Sequence, residues 1–429
     1  MMTYMPCIVA FALLFAGVPV GLALLSSAML YFGFLTDTLP MTGVVQKMVT
    51  STMSTSLLTI PMFLMVGTVM NHCGITDRLM RWCNSLVGHK EGGLAQLNVI
   101  LSTVNGGICG SSGADAAMEC KILVPQMTKM GYPIAFSAAV TAASGLIAPM
   151  IPPGNALILY ATMTDTSVVR MFMAGYLPGL LMCLAELIVV KYVCSKHHWQ
   201  SRTARASGKE ILLTTLDAMW SIAVMVVLVV GLRCGMFTVT EGAVVIICLC
   251  MFIGVFVYRT IKVNEIPAMF VETFHLTSNI MIMLMGSLLF GFYLTWARIP
   301  QEIATAMLSV TSSKYVFMLL SMILMLIMGM FMDGTAMLMI VTPILYPVAV
   351  SYHIDVLQFG IMMLLNGYVG SLTPPVGGVM YTVCNLTKVS IPDFFREARP
   401  FIAALLVVMV LIALFPGIST FLPNLTYRG

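Results

Sequence analysis

Gly145-Leu-Ile-Ala-Pro-Met-Ile-Pro-Pro153 returns 222 residues further along the chain as Gly367-Tyr-Val-Gly-Ser-Leu-Thr-Pro-Pro375. At the same offset Gly107 meets Gly329, Pro125 meets Pro347, Phe172 meets Phe394 and Pro178 meets Pro400. The correspondence runs without a gap over about 70 residues, and upstream of it the register drifts by a few. Glycine and proline dictate where a backbone breaks, so agreement concentrated on them marks a repeated structure rather than two apolar stretches matching by chance. The chain therefore reads as two related halves, 1–194 and 218–429, separated by a polar linker over 195–217.

Composition says where those halves reside. Of 429 residues, 21 are Lys or Arg and 17 Asp or Glu, so charged residues make up 9% against 59% hydrophobic. Soluble domains carry roughly 25% charge. With a mean hydropathy of +0.99, the chain is a polytopic membrane protein. Its net charge of +4 argues neither for nor against a nucleic-acid partner, and none is expected; the partner implied is membrane lipid. The eleven cysteines form no CxxC pair and read as small hydrophobes, and the forty methionines read as packing filler. Residues 1–25 lack a basic start and a small-residue cleavage site, which predicts a retained membrane helix rather than a signal peptide.

A helical span needs about 20 apolar residues. Plain runs lie at 5–35, bent at Gly17-Val18-Pro19, and at 57–73, 168–194, 216–235, 239–258, 277–297 and 400–422. The weakly amphipathic stretches 41–56 and 263–276 are predicted to lie along the interface. Four further regions are interrupted. Residues 93–130 and 315–350 are each two helical arms around a polar tip, Asn105–Gly113 in the first and Met332–Thr335 in the second. Residues 133–164 and 354–386 are helices broken at Pro-Pro. Broken backbone survives at membrane depth only where protein or a water-lined cavity surrounds it.

Charge then orients the halves. If each paired-arm region is a re-entrant hairpin, one side collects Arg78, Arg81, Lys90, Lys129, Lys191, Lys196, Arg202, Arg205, Lys209, Arg259, Lys262, Lys388, Arg396 and Arg399. The other keeps little beyond Arg170, Arg233, Arg298, Lys314 and Arg428. The positive-inside rule makes the first side cytoplasmic, so the two hairpins enter from opposite faces and the repeats are inverted. The expected fold is an all-α membrane protein with two inverted repeats, each holding a re-entrant hairpin and a discontinuous helix. Secondary transporters place substrate and coupling-ion sites at such broken elements.

The chemistry expected there follows from the breaks. Half-helix ends expose carbonyls, which with hydroxyls suit a hard cation such as Na⁺; half-helix starts expose N–H groups, which suit an anion. Ser111, Ser112 and Thr335 stand at hairpin tips, and Asn155 and Thr373 flank the Pro-Pro breaks; singly, each is equally well a helix cap. Asp115 and Asp333-Gly334 bring carboxylates to the tips, where burial costs enough to imply a task. Asp115 has the alternatives of pairing with Lys121 or capping its arm. Glu186, inside a span, reads as a helix or subunit contact. The Gly208-Lys209 pair lacks the rest of a P-loop, and His197-His198 reads as a solvated pair. No acid, base, nucleophile or metal set converges, so an enzyme is not expected; nor is a cofactor beyond a coupling ion.

Several segments together resemble the large membrane subunit of tripartite ATP-independent periplasmic (TRAP) transporters: Gly17-Val-Pro-Val20, Gly110-Ser-Ser112, Ala148-Pro-Met-Ile-Pro-Pro153, Phe172-Met-Ala-Gly-Tyr-Leu-Pro-Gly179, Gly329-Met-Phe-Met-Asp333, Thr342-Pro-Ile-Leu345 and Leu372-Thr-Pro-Pro-Val-Gly377. The resemblance covers the whole chain. It implies a sodium-coupled elevator in the bacterial inner membrane carrying organic acids such as sialic acids or C4-dicarboxylates. It also implies a small four-helix membrane partner and a periplasmic substrate-binding protein. Carried over, one Na⁺ site would use Gly107, Cys109, Ala148, Met150 and Pro153. The second would use Gly329, Gly370, Thr373 and Val376. Cys109, Gly113 and Gly154 depart from the family's usual residues. A thiol is a poor ligand for a hard cation, so either carbonyls suffice at the first site or it is weaker.

Overall fold

The computed structural model describes residues 2–36, 39–53, 55–88, 92–197, 207–311 and 313–426. Every regular element among them is helical. Lys90, His198, Arg202, Arg205 and Arg428 lie outside the described residues.

Helices α1 (Met5–Phe15) and α2 (Val20–Leu30) part at Gly17-Val18-Pro19, where Gly17 takes φ +84°. After α3 (Met41–Thr52), α4 (Thr59–His72) and α5 (Ile75–Val87) comes the first hairpin, α6 (Gly93–Cys109) and α7 (Ser112–Lys129). Gly110 turns it with φ +54°, a left-handed conformation that a β-carbon would oppose. The first broken helix is α8 (Ile134–Ser144) and α9 (Asn155–Met163), and α10 (Val168–Lys196) follows, N-capped by the Ser167 hydroxyl. The second half runs through α11 (Gly208–Arg233), α12 (Val239–Phe252), α13 (Ile266–Trp296) and α14 (Ile299–Val310) to its own hairpin. That hairpin is α15 (Lys314–Gly329) and α16 (Gly334–Ser351); its broken helix is α17 (Val356–Ser371) and α18 (Gly378–Thr387). The chain continues through α19 (Ile391–Leu414) to α20 (Gly417–Thr426). Among the described residues six helices are long and apolar enough to cross a membrane, or seven if the pair bent by 45° across residues 134–163 counts as one.

The repeat is realised in three dimensions. Both ends of α7 and α16 differ by the predicted 222 residues, as do the starts of α8 and α17. Pro152-Pro153 and Pro374-Pro375 are both cis. A β-carbon added at Gly145 would lie 3.1 Å from the Ser112 carbonyl oxygen, and one at the equivalent Gly367 would lie 3.2 Å from Gly334 Cα. Each broken helix thus packs on the start of its hairpin's second arm through the same glycine. Between the halves, α9 packs on α16 and α18 packs on α7. Those are one contact made twice, the mark of a two-fold relation between the repeats.

A cavity of about 550 Å³ brings Pro133 and His197 of the first half together with Lys388 and Arg396 of the second. Residues from both parts of the chain thus line one space.

Three boundaries differ from the sequence reading. Residues 263–276 are not a separate interfacial stretch, because α13 runs unbroken from Ile266 to Trp296. Pro267 opens that helix, where a missing N–H costs nothing, and no further proline interrupts it. Its polar residues have somewhere to go: Glu272 meets His72 of α4 at 3.4 Å. The apolar run 400–422 begins earlier, at Ile391, and stops at Leu414 because Pro416 forces Phe415 out of helical geometry. The linker expected over 195–217 is helical at both ends, with α10 reaching Lys196 and α11 starting at Gly208 behind a Ser207 cap.

Candidate functional site

A cavity of about 400 Å³ lies where both hairpin tips meet α4 and α13. From the first repeat it is lined by Gly110, Ser111, Pro153 and Asn155, and from the second by Asp333 and Thr335. Four predicted substrate residues, Ser111, Asn155, Asp333 and Thr335, therefore share one space. Gly334 and Ser112 are buried immediately behind the tips.

Three helix starts face this cavity, and they differ. No side chain caps α7 at Ser111 or α9 at Gly154, so their first N–H groups remain available. A helix start with free N–H groups favours negative charge. By contrast, α16 is occupied by its own carboxylate: Asp333 accepts a hydrogen bond from the Thr335 N–H at 2.9 Å. Asp333 is thus the cap of α16, yet its side chain is also exposed to the cavity.

Asp115 is placed differently. It lies one turn inside α7, fully buried, and does not line the cavity. Lys121 is exposed, and no salt bridge joins the two among the described residues. Both Asp115 carboxylate oxygens lack a hydrogen-bond partner, as do both polar atoms of the Asn105 side chain. Glu119, one turn further, accepts from the Ser102 hydroxyl at 2.8 Å. Glu186 of α10 is also fully buried and unpartnered.

The residues proposed for the second ion site are adjacent. Gly329 and Gly370 approach so closely that a β-carbon on Gly370 would lie 2.6 Å from Gly329 Cα. The Thr373 hydroxyl donates to the Gly370 carbonyl at 2.7 Å, keeping its own lone pairs free. Val376 N–H reaches back to the Met330 carbonyl at 3.2 Å, tying the break to the hairpin tip, while its side chain is exposed. At the first site Gly107 and Cys109 form the last turn of α6, and Ala148, Met150 and Pro153 are buried in the break. The two meet at Gly106, where a β-carbon would stand 3.0 Å from the Ala148 carbonyl oxygen. Gly110 similarly abuts the Pro153 carbonyl oxygen, at 3.2 Å from a β-carbon.

Sequence reading did not find the opposite wall of the cavity. Phe63, Gly67, Thr68 and Asn71 of α4 and Glu272, Ile280 and Met283 of α13 supply it. Glu272, in a stretch read as interfacial, was the available signal.

The DctM component family of tripartite ATP-independent periplasmic transporters matches residues 7–418. The sialic acid TRAP transporter large permease protein SiaM of Vibrio cholerae is 34% identical over 96% of each chain. The C4-dicarboxylate TRAP transporter large permease protein DctM of Pseudomonas aeruginosa is 35% identical over 86% of each. Among solved structures, the Alcanivorax borkumensis YdaH transporter shares the fold, with TM-score 0.65 and 13% identity over 92% of this chain and 96% of that one. Hairpins, broken helices and relatives agree: the chain belongs to the DctM family, the large membrane permease component of TRAP transporters.

Proposed function

We propose that this permease moves an organic acid of the sialic acid or C4-dicarboxylate class across the bacterial inner membrane, driven by Na⁺. One observation carries the substrate class: two uncapped helix starts, at Ser111 and Asn155, converge on one cavity with hydrogen-bonding groups opposite. A substrate carboxylate sits between those starts, and Asp333 and Thr335 take its hydroxyl or amide groups. Relatives named for sialic acid and for C4-dicarboxylates support the class. Sodium is held by the carbonyls and hydroxyl of the two breaks, whose ligand types are those of a hard cation. The hairpins and broken helices move together as an elevator against α2, α4 and α13. Substrate arrives on a periplasmic binding protein, and a small four-helix membrane subunit completes the scaffold.

The test is uptake into proteoliposomes holding the permease, its small subunit and a binding protein. Sialic acid and a C4-dicarboxylate are offered separately, with Na⁺ or choline outside. Uptake of one acid that stops in choline is the expected result; indifference to choline would sink the sodium reading. Thr373→Val, which keeps shape and removes a ligand, should raise the Na⁺ concentration for half-maximal uptake about tenfold, the worth of one hydrogen-bond-like contact to a charge. The permease reconstituted alone should show little uptake. Robust uptake without partners would identify a stand-alone anion carrier instead.

A further inference from the structure

Beneath the first hairpin tip lies a buried polar tie with no counterpart among the described residues of the second repeat. The Asn98 amide of α6 donates to Thr141 Oγ1 at 2.6 Å, and its carbonyl oxygen accepts from Ser144 Oγ at 2.9 Å. All three side chains are fully buried. Thr141 and Ser144 form the last turn of α8, and Ser144 is its final residue before the break. Asn98 therefore clamps the first arm to the backbone that leads directly into Ala148 and Met150.

The second repeat shows that the fold does not require this clamp. Met363 stands at the place of Thr141 and is just as buried. Asn366 stands at the place of Ser144, and its amide bonds within its own helix, to the Met362 carbonyl at 2.6 Å, instead of crossing to α15. There the arm and the broken helix close through backbone: Gly329 packs on Gly367 and Gly370. In the first repeat Ala148 occupies the position of Gly370, and the arm meets the break at the neighbouring Gly106, beside the Ala148 carbonyl. A pair of directional hydrogen bonds is added there to the alignment.

We propose that Asn98 is a positioning residue for the ion site of the first repeat, fixing the carbonyls of the α6 end against those of the first break. This rests on the sodium reading given above. Groups that orient ion ligands without touching the ion typically change its affinity by about 10–100-fold when removed.

The test uses the full transporter in proteoliposomes. Asn98→Leu keeps the branching at Cγ, and it strands no donor, because Thr141 Oγ1 also donates to the Ser137 carbonyl and Ser144 Oγ to the Thr141 carbonyl. The Na⁺ concentration for half-maximal uptake should rise about tenfold. The maximal rate at saturating Na⁺ and the half-saturating substrate concentration there should stay within about twofold of wild type, the signature of an effect confined to ion affinity. Adding Thr141→Val to Asn98→Leu should cause little further change, since both remove one interaction. Met363→Leu, at the equivalent place in the second repeat, should leave the Na⁺ dependence alone. If Asn98→Leu does not fold, Thr141→Val with Ser144→Ala removes the same two bonds from the other side and is read in the same way. Lowered thermal stability with an unshifted Na⁺ dependence would reduce Asn98 to a structural tie and overturn the proposal. Wild-type uptake indifferent to Na⁺ would overturn the sodium reading itself; a Na⁺-dependent wild type with an unshifted variant overturns only the role of Asn98.

Discussion

Asp333→Asn should take up substrate at least about tenfold more slowly than wild type at limiting Na⁺ and substrate, the effect of ~1.4 kcal/mol on a barrier. Expression and thermal stability should hold. The two outcomes separate because Asp333 has two contacts of different kinds. One oxygen caps α16 through the Thr335 N–H, and asparagine caps about as well as aspartate. The other feature, a full negative charge facing the cavity across from two bare helix starts, asparagine does not keep. Asp333→Ala serves as the comparison: it loses the cap as well, at about 1 kcal/mol of stability. Wild-type uptake by Asp333→Asn would leave the cap as the residue's whole function.

Gly370→Ala is expected to abolish uptake and to destabilise the folded protein by about 1–3 kcal/mol, the range for overpacking a tight core. The new β-carbon would stand 2.6 Å from Gly329 Cα and 2.8 Å from the Leu326 carbonyl oxygen. Those are backbone atoms, which cannot rotate aside as a side chain could. The second hairpin must move off its broken helix, and Gly329 separates from Gly370 and Thr373 with it. Gly113→Ala is the matched control, because nothing lies within 4 Å of a β-carbon there. Thermal unfolding and uptake measured on both variants decide the matter; a wild-type Gly370→Ala would mean the close approach has no role.

What could be read from the sequence follows from how local each signal is. The hairpins, the breaks and their register were legible because glycine and proline act on their own backbone, and because the chain states each of them twice. The tips were legible for the same reason, and three of their predicted substrate residues meet Asn155 of the first break in one cavity. The far wall was not, since nothing in the α4 sequence says which helices it will cover. Residues 263–276 misled because their polar groups suggested water at an interface, whereas Glu272 turns toward a cavity. Asp115 shows the limit of position along a helix: one turn from Ser111 in sequence, it points into the protein instead of the opening. Asn98, like any serine or asparagine in an apolar run, carried no mark of its role until Thr141 and Ser144 were seen beside it.

The unequal treatment of the three helix starts gives the cavity a head and a tail. Two starts, both from the first repeat, lie bare; the third, from the second repeat, already holds an aspartate of the chain's own. On the proposed function, the sialic acid arm of the class, with one carboxylate and several hydroxyl and amide donors, suits these unequal ends better than the C4-dicarboxylate arm, whose second carboxylate would meet Asp333. A molecule with an acid at one end and donors at the other meets no such conflict, and it can settle in only one direction. Competitive inhibitors built for this permease should therefore be lopsided: a single carboxylate for the Ser111–Asn155 end, and an ammonium or amide group in place of any second acid to lie against Asp333.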